Sequence, residues 1–350
     1  MRLPRANASE EESSIRRDGP KKPSLPYALI HPLGPLFPKF PLELRRRILY
    51  WLKFRRWGNF QHPKLWSEKM QWRILNDRRP VLGVASDKLA SKRYVGDLVR
   101  MSNAKVSVPE TLWVGTDVRE LYALRSLLPS RWVLKPNSSS GRVRLIDEAQ
   151  GEVDWDELIK TGSRWMLPDE QVTSLGHWGY GAARRVLFAE ERIGEGLGPP
   201  ADLRAHVFNG SVGRLDYSIG LGTPAHQVAA YARDLSTRML SHLPHEIPEG
   251  TETPVDILNT TERSLLIQSI EAIAGGIDYL RVDGYFDGGR YWFGELTAYT
   301  ESGIGPIGAE LDRLAGDAWT LPDLAVRETS DPVMRRLLEH AELGRLQTPR

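Results

Sequence analysis

The sequence contains no cysteine. Disulfides, thiolate nucleophiles and Cys-ligated zinc or iron–sulfur centres are therefore excluded, which is compatible with a reducing compartment. No run approaches the ~20 consecutive apolar residues that a membrane span requires. Residues 1–17 carry Glu10, Glu11 and Glu12 and no apolar stretch of signal-peptide length. The expectation is a soluble, cytoplasmic protein. Charge of one sign is also scarce: a net charge of +2 over 350 residues gives no whole-molecule field pointing to nucleic acid. No Gly-Lys-Ser/Thr opens a helix, no Gly-x-Ser-x-Gly elbow occurs, and Gly275-Gly276 closes a helix where a dinucleotide fingerprint would open one. The 8 histidines are scattered, and Pro244 keeps His242 and His245 off a common helix face.

What is present is the composition of a globular protein, 41% hydrophobic and 26% charged, in a chain long enough for two or three subdomains. Residues 1–38 are polar, charged and proline-rich and read as an irregular arm. From Leu42 to Trp57 a helical period places Leu44, Ile48, Trp51, Leu52 and Arg55 on one face. This stretch is strongly basic (Arg45, Arg46, Arg47, Lys53, Arg55 and Arg56 against Glu43). Two readings stay open for it: a packed helix with a solvated basic face, or a peripheral dock for an anionic membrane or acidic polymer. Further helices are expected from Ser67, as N-cap, to Asn76, from Asp87 to Arg100, from Leu121 to Leu128, from Asp154 to Thr161 and from Thr261 to Ala274. Short strands are read at 106–108, 111–114, 132–135, 142–146 and 186–189, with a hairpin of 203–208 and 211–219 around Asn209-Gly210. A terminal helix is read from Asp331, with Pro332 at its first position. Helices and strands alternate without strict βαβ regularity, so the class is α+β.

The stretch richest in chemistry runs from Arg281 to Thr297. Two aromatic and β-branched runs flank Asp287-Gly288-Gly289, a strong hairpin signal. Such a turn brings Asp283 and Glu295 side by side. Converging carboxylates repel one another unless a cation lies between them, and oxygen-rich pairs of this kind suit a magnesium ion bridging nucleotide phosphates. Arg281 adds a positive fork for a phosphate or an oxyanion. Lys135 ends a strand just before Ser138-Ser139-Ser140-Gly141, where a lysine reaches phosphate oxygens while the loop amides and hydroxyls cover them. Each of these features alone also suits an ordinary surface hairpin.

Taken in order, Asp87-Lys88, Trp132-Val133-Leu134-Lys135, Glu190-Glu191, Asp202-Leu203-Arg204 and Arg281-Val282-Asp283 with Phe293-Gly294-Glu295-Leu296-Thr297 make the chain resemble the TupA-like ATP-grasp family over about residues 38–322. The resemblance implies an ATP-grasp fold, two α+β lobes closing on ATP. The divisions would be an N-terminal helical/α-β subdomain at 39–130, a small lobe with flap and hinge at 131–195, a C-terminal lobe with a magnesium site at 196–322 and a tail helix at 323–350. By position, the resemblance implies that Lys88 and Lys135 hold the α- and β-phosphates and that Ser138, Ser139, Ser140 and Gly141 form a mobile flap. Glu190, Glu191, Arg192 and Ile193 would read the adenine through their backbone. Glu191 or Glu195 would hold the ribose. Arg204, where a lysine is often found, would point at the γ-phosphate, and Arg281 would stabilise the transferred group. Asp283 and Glu295 would bind magnesium, with Thr297 standing where the wider superfamily has asparagine. The implied activity is ATP-dependent carboxylate–amine ligation through an acyl phosphate, on small-molecule or glycan-linked acids and amines, in cell-surface polysaccharide or specialised-metabolite biosynthesis. A kinase acting on a sugar or envelope precursor, or a non-catalytic nucleotide-binding partner, would use the same ATP site.

Overall fold

The computed structural model describes residues 37–101, 106–194, 196, 200–220, 223–239, 245–248, 250–253 and 255–325, with 335, 336, 338 and 339 near the C-terminus. Of the arm expected at 1–38 only the end is described, and of the tail helix only these last four residues, which are helical; Glu195 and His242 lie outside the described residues.

The N-terminal part is helical: α1 (Leu42–Phe54), α2 (Trp66–Asn76), α3 (Pro80–Ser86) and α4 (Lys88–Met101). Two short strands follow, β1 (Val106–Ser107) and β2 (Thr111–Gly115), then α5 (Val118–Ala123), β3 (Arg131–Pro136), β4 (Arg144–Asp147), α6 (Trp155–Trp165), α7 (Glu170–Thr173), α8 (Trp178–Ala182) and β5 (Leu187–Glu191). The remainder is β6 (Asp202–Phe208), β7 (Ser211–Ile219), β8 (Gln227–Tyr231), β9 (Arg238–Met239), α9 (Thr260–Ala274), β10 (Tyr279–Asp287), β11 (Arg290–Thr297) and α10 (Ala309–Ala318).

The strands form two sheets. The larger has the order β1-β11-β10-β6-β7-β8-β9 and the smaller β2-β5-β3-β4. The stretch 39–130 contributes one strand to each, since β1 runs parallel to β11 and β2 antiparallel to β5. Both tight hairpins follow from their turn residues. Asn209 and Gly210 take φ of 48° and 81°, and Gly288 and Gly289 take 58° and 71°, the left-handed pairs that match the twist of the flanking strands. One face of the large sheet is apolar: Ala205, Leu215, Leu280, Val282 and Leu296 are buried in a common core with Leu266, Ile270 and Ile273 of α9. An Asn259–Glu262 capping box starts α9. The smaller sheet has a separate core around Trp132, Leu134, Leu158, Trp165 and Leu187.

Several expectations need correction. α1 points the reverse way: Arg45, Arg46, Leu49 and Tyr50 are buried, while Leu44 and Trp51 remain 44% and 37% exposed. The reason is that two of the basic residues serve as internal ties. Arg45 donates to the carbonyls of Phe40 and Thr173 at 3.0 and 2.8 Å, and Arg46 to Gln71 Oε1 at 2.7 Å. Arg56 pairs with Asp312 at 3.3 Å but stays 42% exposed, so burial removes Arg45 and Arg46 alone from the basic surface. α2 starts one residue before Ser67, because Glu68 reaches back to the amides of Lys64 and Leu65. Ser67 is therefore not the cap; its amide and hydroxyl donate to Asp312 at 2.7 and 2.8 Å. The helix expected at 121–128 is α5 followed by a single 3-10 turn, Arg125–Leu127. The sequence reading missed α3, α7, α8, α10, β8 and β9. Asp87 does cap α4, accepting from the Ala90 amide at 2.8 Å.

Candidate ATP and metal site

The polar face of the large sheet carries the site. Strand register sets Asp283 opposite Glu295 on one side and opposite Arg204 on the other. Two residues along, Arg281 faces Thr297 and His206. Side chains two apart point to one face, so Glu295, Asp283 and Arg204 form one row across three strands, and Thr297, Arg281 and His206 form the next. A bulge between Asp283 and Gly284 bends the hairpin at this point. Gly284 is required there, because a Cβ would fall 2.6 Å from the carbonyl oxygen of Trp292.

Arg281 grips Asp283 with two bonds, Nε to Oδ1 at 2.6 Å and Nη2 to Oδ2 at 2.7 Å. Thr297 Oγ1 donates to Asp283 Oδ2 at 2.8 Å. Burial opposes ionisation of Asp283, but Arg281, with help from Arg204 and Thr297, holds it below the usual carboxylate range. Glu295 Oε2 lies 2.9 Å from Lys88 Nζ. The same ammonium donates to the carbonyl of Ser139, so the first residue of α4 joins the flap to the hairpin.

A second charge cluster faces this row. Glu190 is buried between two lysines, Lys135 and Lys92, the latter at 2.6 Å. Burial disfavours its charge, yet the two ammonium groups hold its carboxyl below the ordinary value. Lys135 is kept protonated by Glu190, whereas burial pushes Lys92 down. Two cations sharing one anion give a net positive cluster suited to phosphate oxygens. Lys135 Nζ also lies 5.8 Å from the centre of the Tyr285 ring.

The flap, 138–141, is held from outside. Gln171 Nε2 donates to the Ser140 carbonyl at 3.2 Å, and Arg142 pairs with Asp169 at 3.4 Å. Tyr180 of α8 hydrogen-bonds Ser140 and faces Glu295, and burial raises its hydroxyl pKa. The Ser139 hydroxyl is buried without a partner among the described residues. Of the residues expected to form a hinge, Ile193 is buried, Glu191 accepts from the Glu110 amide at 2.8 Å, and Arg192 pairs with Asp147 at 3.2 Å.

Arg204, Arg281, Asp283, Glu295, Thr297 and Lys88 thus lie together, and Lys135 lies with Glu190, whose side chain pairs with lysines although only its backbone was given a role. Lys92, Tyr180, His206 and Tyr285 were missed. Lys92 was legible, because it lies one helical turn from Lys88 and so shares its face. Tyr180 was not, because α8 reaches the site only through tertiary packing. Among the described residues no group of three or more His, Cys, Asp or Glu is placed to hold a metal. Asp283 and Glu295 nonetheless fit magnesium, which is usually bound by one or two carboxylates together with substrate phosphates and water.

No curated protein matches the sequence. Solved structures similar to the chain include D-alanine–D-alanine ligase from Bacillus anthracis complexed with ATP, at 13% identity over 76% of this chain and 68% of that one, TM-score 0.37. The ATP-grasp ligase PsnB, complexed with a phosphomimetic variant of its minimal precursor, Mg and ADP, is similar at 14% identity over 78% and 66%, TM-score 0.35. The macrocyclase MdnC from Microcystis aeruginosa MRC, bound with precursor peptide MdnA, is similar at 13% identity over 68% and 61%, TM-score 0.35. The chain therefore spans about two thirds or less of the last two. In sequence, residues 68–320 match the family described as TupA-like ATPgrasp, a span that contains every described site residue above. With well over half its length matched, the chain belongs to the TupA-like ATP-grasp family.

Proposed function

We propose that the protein is an ATP-dependent carboxylate–amine ligase. The observation that carries this reading is the row Glu295–Asp283–Arg204, with Lys88 on Glu295 and with Lys135 and Lys92 together on the nearby Glu190. A carboxylate oxygen of the acid attacks the γ-phosphorus of ATP, the bond to the β-phosphate oxygen breaks, and ADP leaves. The acyl phosphate is then attacked at its carbonyl carbon by an amine, which loses a proton as inorganic phosphate departs. Phosphorylation is needed because a carboxylate oxygen is otherwise a poor leaving group. Lys88 and Lys135 neutralise the nucleotide phosphates, and Arg204 and Arg281 face the charge that gathers around the γ-phosphoryl group. Magnesium held by Asp283 and Glu295 would supply charge neutralisation between phosphate oxygens. The backbone of Glu190 to Ile193 would read the adenine, and the 138–141 flap would keep water from the acyl phosphate. Biosynthesis of a cell-surface polysaccharide or a specialised metabolite is the setting this chemistry suits.

The test is ADP release with ATP and a panel of acids, using hydroxylamine as the amine and mass analysis of the product. Acid-dependent hydroxamate is expected. ADP accompanied by a stable phosphorylated product and no hydroxamate would replace the ligase with a kinase.

Lys92→Met keeps the volume but removes one of the two cations on Glu190. The loss of a charged hydrogen bond at the phosphate cluster is expected to weaken ATP binding by about tenfold or more. Calorimetric titration with ATP measures this, and unchanged affinity would remove Lys92 from the site.

A further inference from the structure

Beside the Asp283–Arg204 row the polar sheet face continues into a cavity of about 450 Å³. That size buries most of a drug-sized ligand and is generous for an alanine-sized acid. Its floor carries Arg281, Arg204, His206, Arg214 and Asp216. These charges are unequally available. Asp216 lies between Arg214 at 2.8 Å and His206 at 3.3 Å, so that group is balanced internally. Arg281 is held by both oxygens of Asp283. Arg204 has a longer contact, 3.3 Å to Asp202, and its side chain is 23% exposed against 13% for Arg281 and 9% for Arg214. It is the floor cation best placed to meet the attacking carboxylate, at the end of the cavity where it also faces the γ-phosphoryl group.

The opposite wall is apolar. α10 turns Asp312 and Gly316 towards α2, where a Cβ on Gly316 would meet the Lys64 carbonyl oxygen at 2.2 Å. Its other side presents Leu311, Leu314, Ala315 and Ala318 to the cavity, the i, i+3, i+4, i+7 spacing of an apolar helix face. Among the described residues nothing fully covers this face: Leu314 is 47% exposed. Ile307 continues the wall. Glu301 also lines the cavity, near Arg281, and its charge disfavours a second anionic group there.

We infer that this cavity receives the acid substrate, and that the acid has one carboxylate, bound at Arg204, and an aromatic or branched apolar body packed on α10. A hydroxyl-rich sugar acid would leave its polar groups unpaired against Leu311 and Leu314. The inference rests on the ligase reading for the carboxylate's role, but its test reads binding and requires no turnover.

The experiment compares 3-phenylpropanoate with glucuronate, by ligand-observed NMR on the full chain in the presence of ADP and magnesium. 3-Phenylpropanoate is expected to bind at least about tenfold tighter. Leu314→Gln, at a half-exposed position that tolerates a polar side chain, is expected to reduce that preference about tenfold, the scale of apolar pocket discrimination. Arg204→Gln is expected to weaken 3-phenylpropanoate while leaving 3-phenylpropanamide unchanged. Equal or tighter binding of glucuronate overturns the inference, as does 3-phenylpropanoate binding that is indifferent to both Leu314→Gln and Leu311→Gln. Hydroxamate formed from glucuronate would keep the ligase and discard the apolar acid. The stated binding pattern without hydroxamate from any acid would keep the pocket and discard the ligase.

Discussion

Asp283→Asn is expected to lower magnesium-dependent ADP release by about 10²–10³-fold or more, the scale seen when one preorganised electrostatic group is removed from a reacting centre. The change is nearly isosteric. It removes the charge that both a divalent cation and Arg281 require, and retains an oxygen for the Thr297 hydroxyl, which lies 2.8 Å from Asp283. It also leaves the Arg281 guanidinium without its bidentate partner, and an uncompensated buried charge can destabilise the fold as well. The two effects separate in the double variant Arg281→Met, Asp283→Asn. Removing both charges is expected to recover most of the lost stability and none of the activity. Steady-state ADP release at several magnesium concentrations, alongside urea unfolding, reads both quantities. A single variant with undiminished rate would show that Asp283 is only the structural partner of Arg281.

Asp278→Ala is expected to be the most destabilising single change, at about 3–5 kcal/mol, as when one partner of a buried ion pair is deleted. Asp278 precedes β10 and accepts from Arg73 Nη2, Arg79 Nη2 and Trp319 Nε1, each at 2.6 Å. It thereby joins the α2–α3 junction, the start of β10 and the residue that follows α10. Arg73 is fully buried, donates also to the Tyr279 carbonyl at 2.8 Å and lies 4.6 Å from the Trp319 ring. Without Asp278 that guanidinium keeps its charge with only Asp77, 4.0 Å away and already paired with Arg79, to offset it. Burial opposes ionisation of Asp278, but Arg73 and Arg79 hold its pKa below the ordinary value. A carboxylate depressed in the folded state stabilises the protein above its unfolded pKa of about 3.9. That stabilisation is lost as pH falls through the lower folded value. Urea midpoints measured from pH 7 downward are therefore expected to drop below pH 4 in the parent protein. The drop should be smaller in Asp278→Ala. Equal midpoints for the two proteins at pH 7 would show that the cluster contributes nothing net.

The hairpin of β10 and β11 was legible because its determinants are local. Asp287-Gly288-Gly289 permits the left-handed turn, the turn sets the register, and the register sets Asp283 opposite Glu295. Lys88 and Lys135 were legible as ends of a helix and a strand. Arg204 beside Asp283 was not derivable from spacing. It depends on β6 entering the sheet next to β10, across a gap in sequence that carries three other strands and a helix. The same holds for Glu190, whose carboxylate meets Lys92 of a helix about a hundred residues earlier. α1 shows the converse. Of Leu44, Ile48, Trp51, Leu52 and Arg55, read as one inward face, Leu44 and Trp51 are exposed, Leu52 packs inward and Arg55 caps the helix end, because the arginines on the other side found buried carbonyls.

By itself, then, the sequence determined the turns, most of the helices and strands, the paired carboxylates and the family. Each of these rests on residues close in the chain, or on an order of motifs that folding leaves intact. Only the tertiary structure decided which cation meets which carboxylate, that Lys92 reaches Glu190 and Tyr180 reaches Ser140, and that α10 lays an apolar face along a cavity floored by arginine. Those depend on strand order and helix packing, where a buried charge takes whichever partner the packing brings within reach, however distant in sequence.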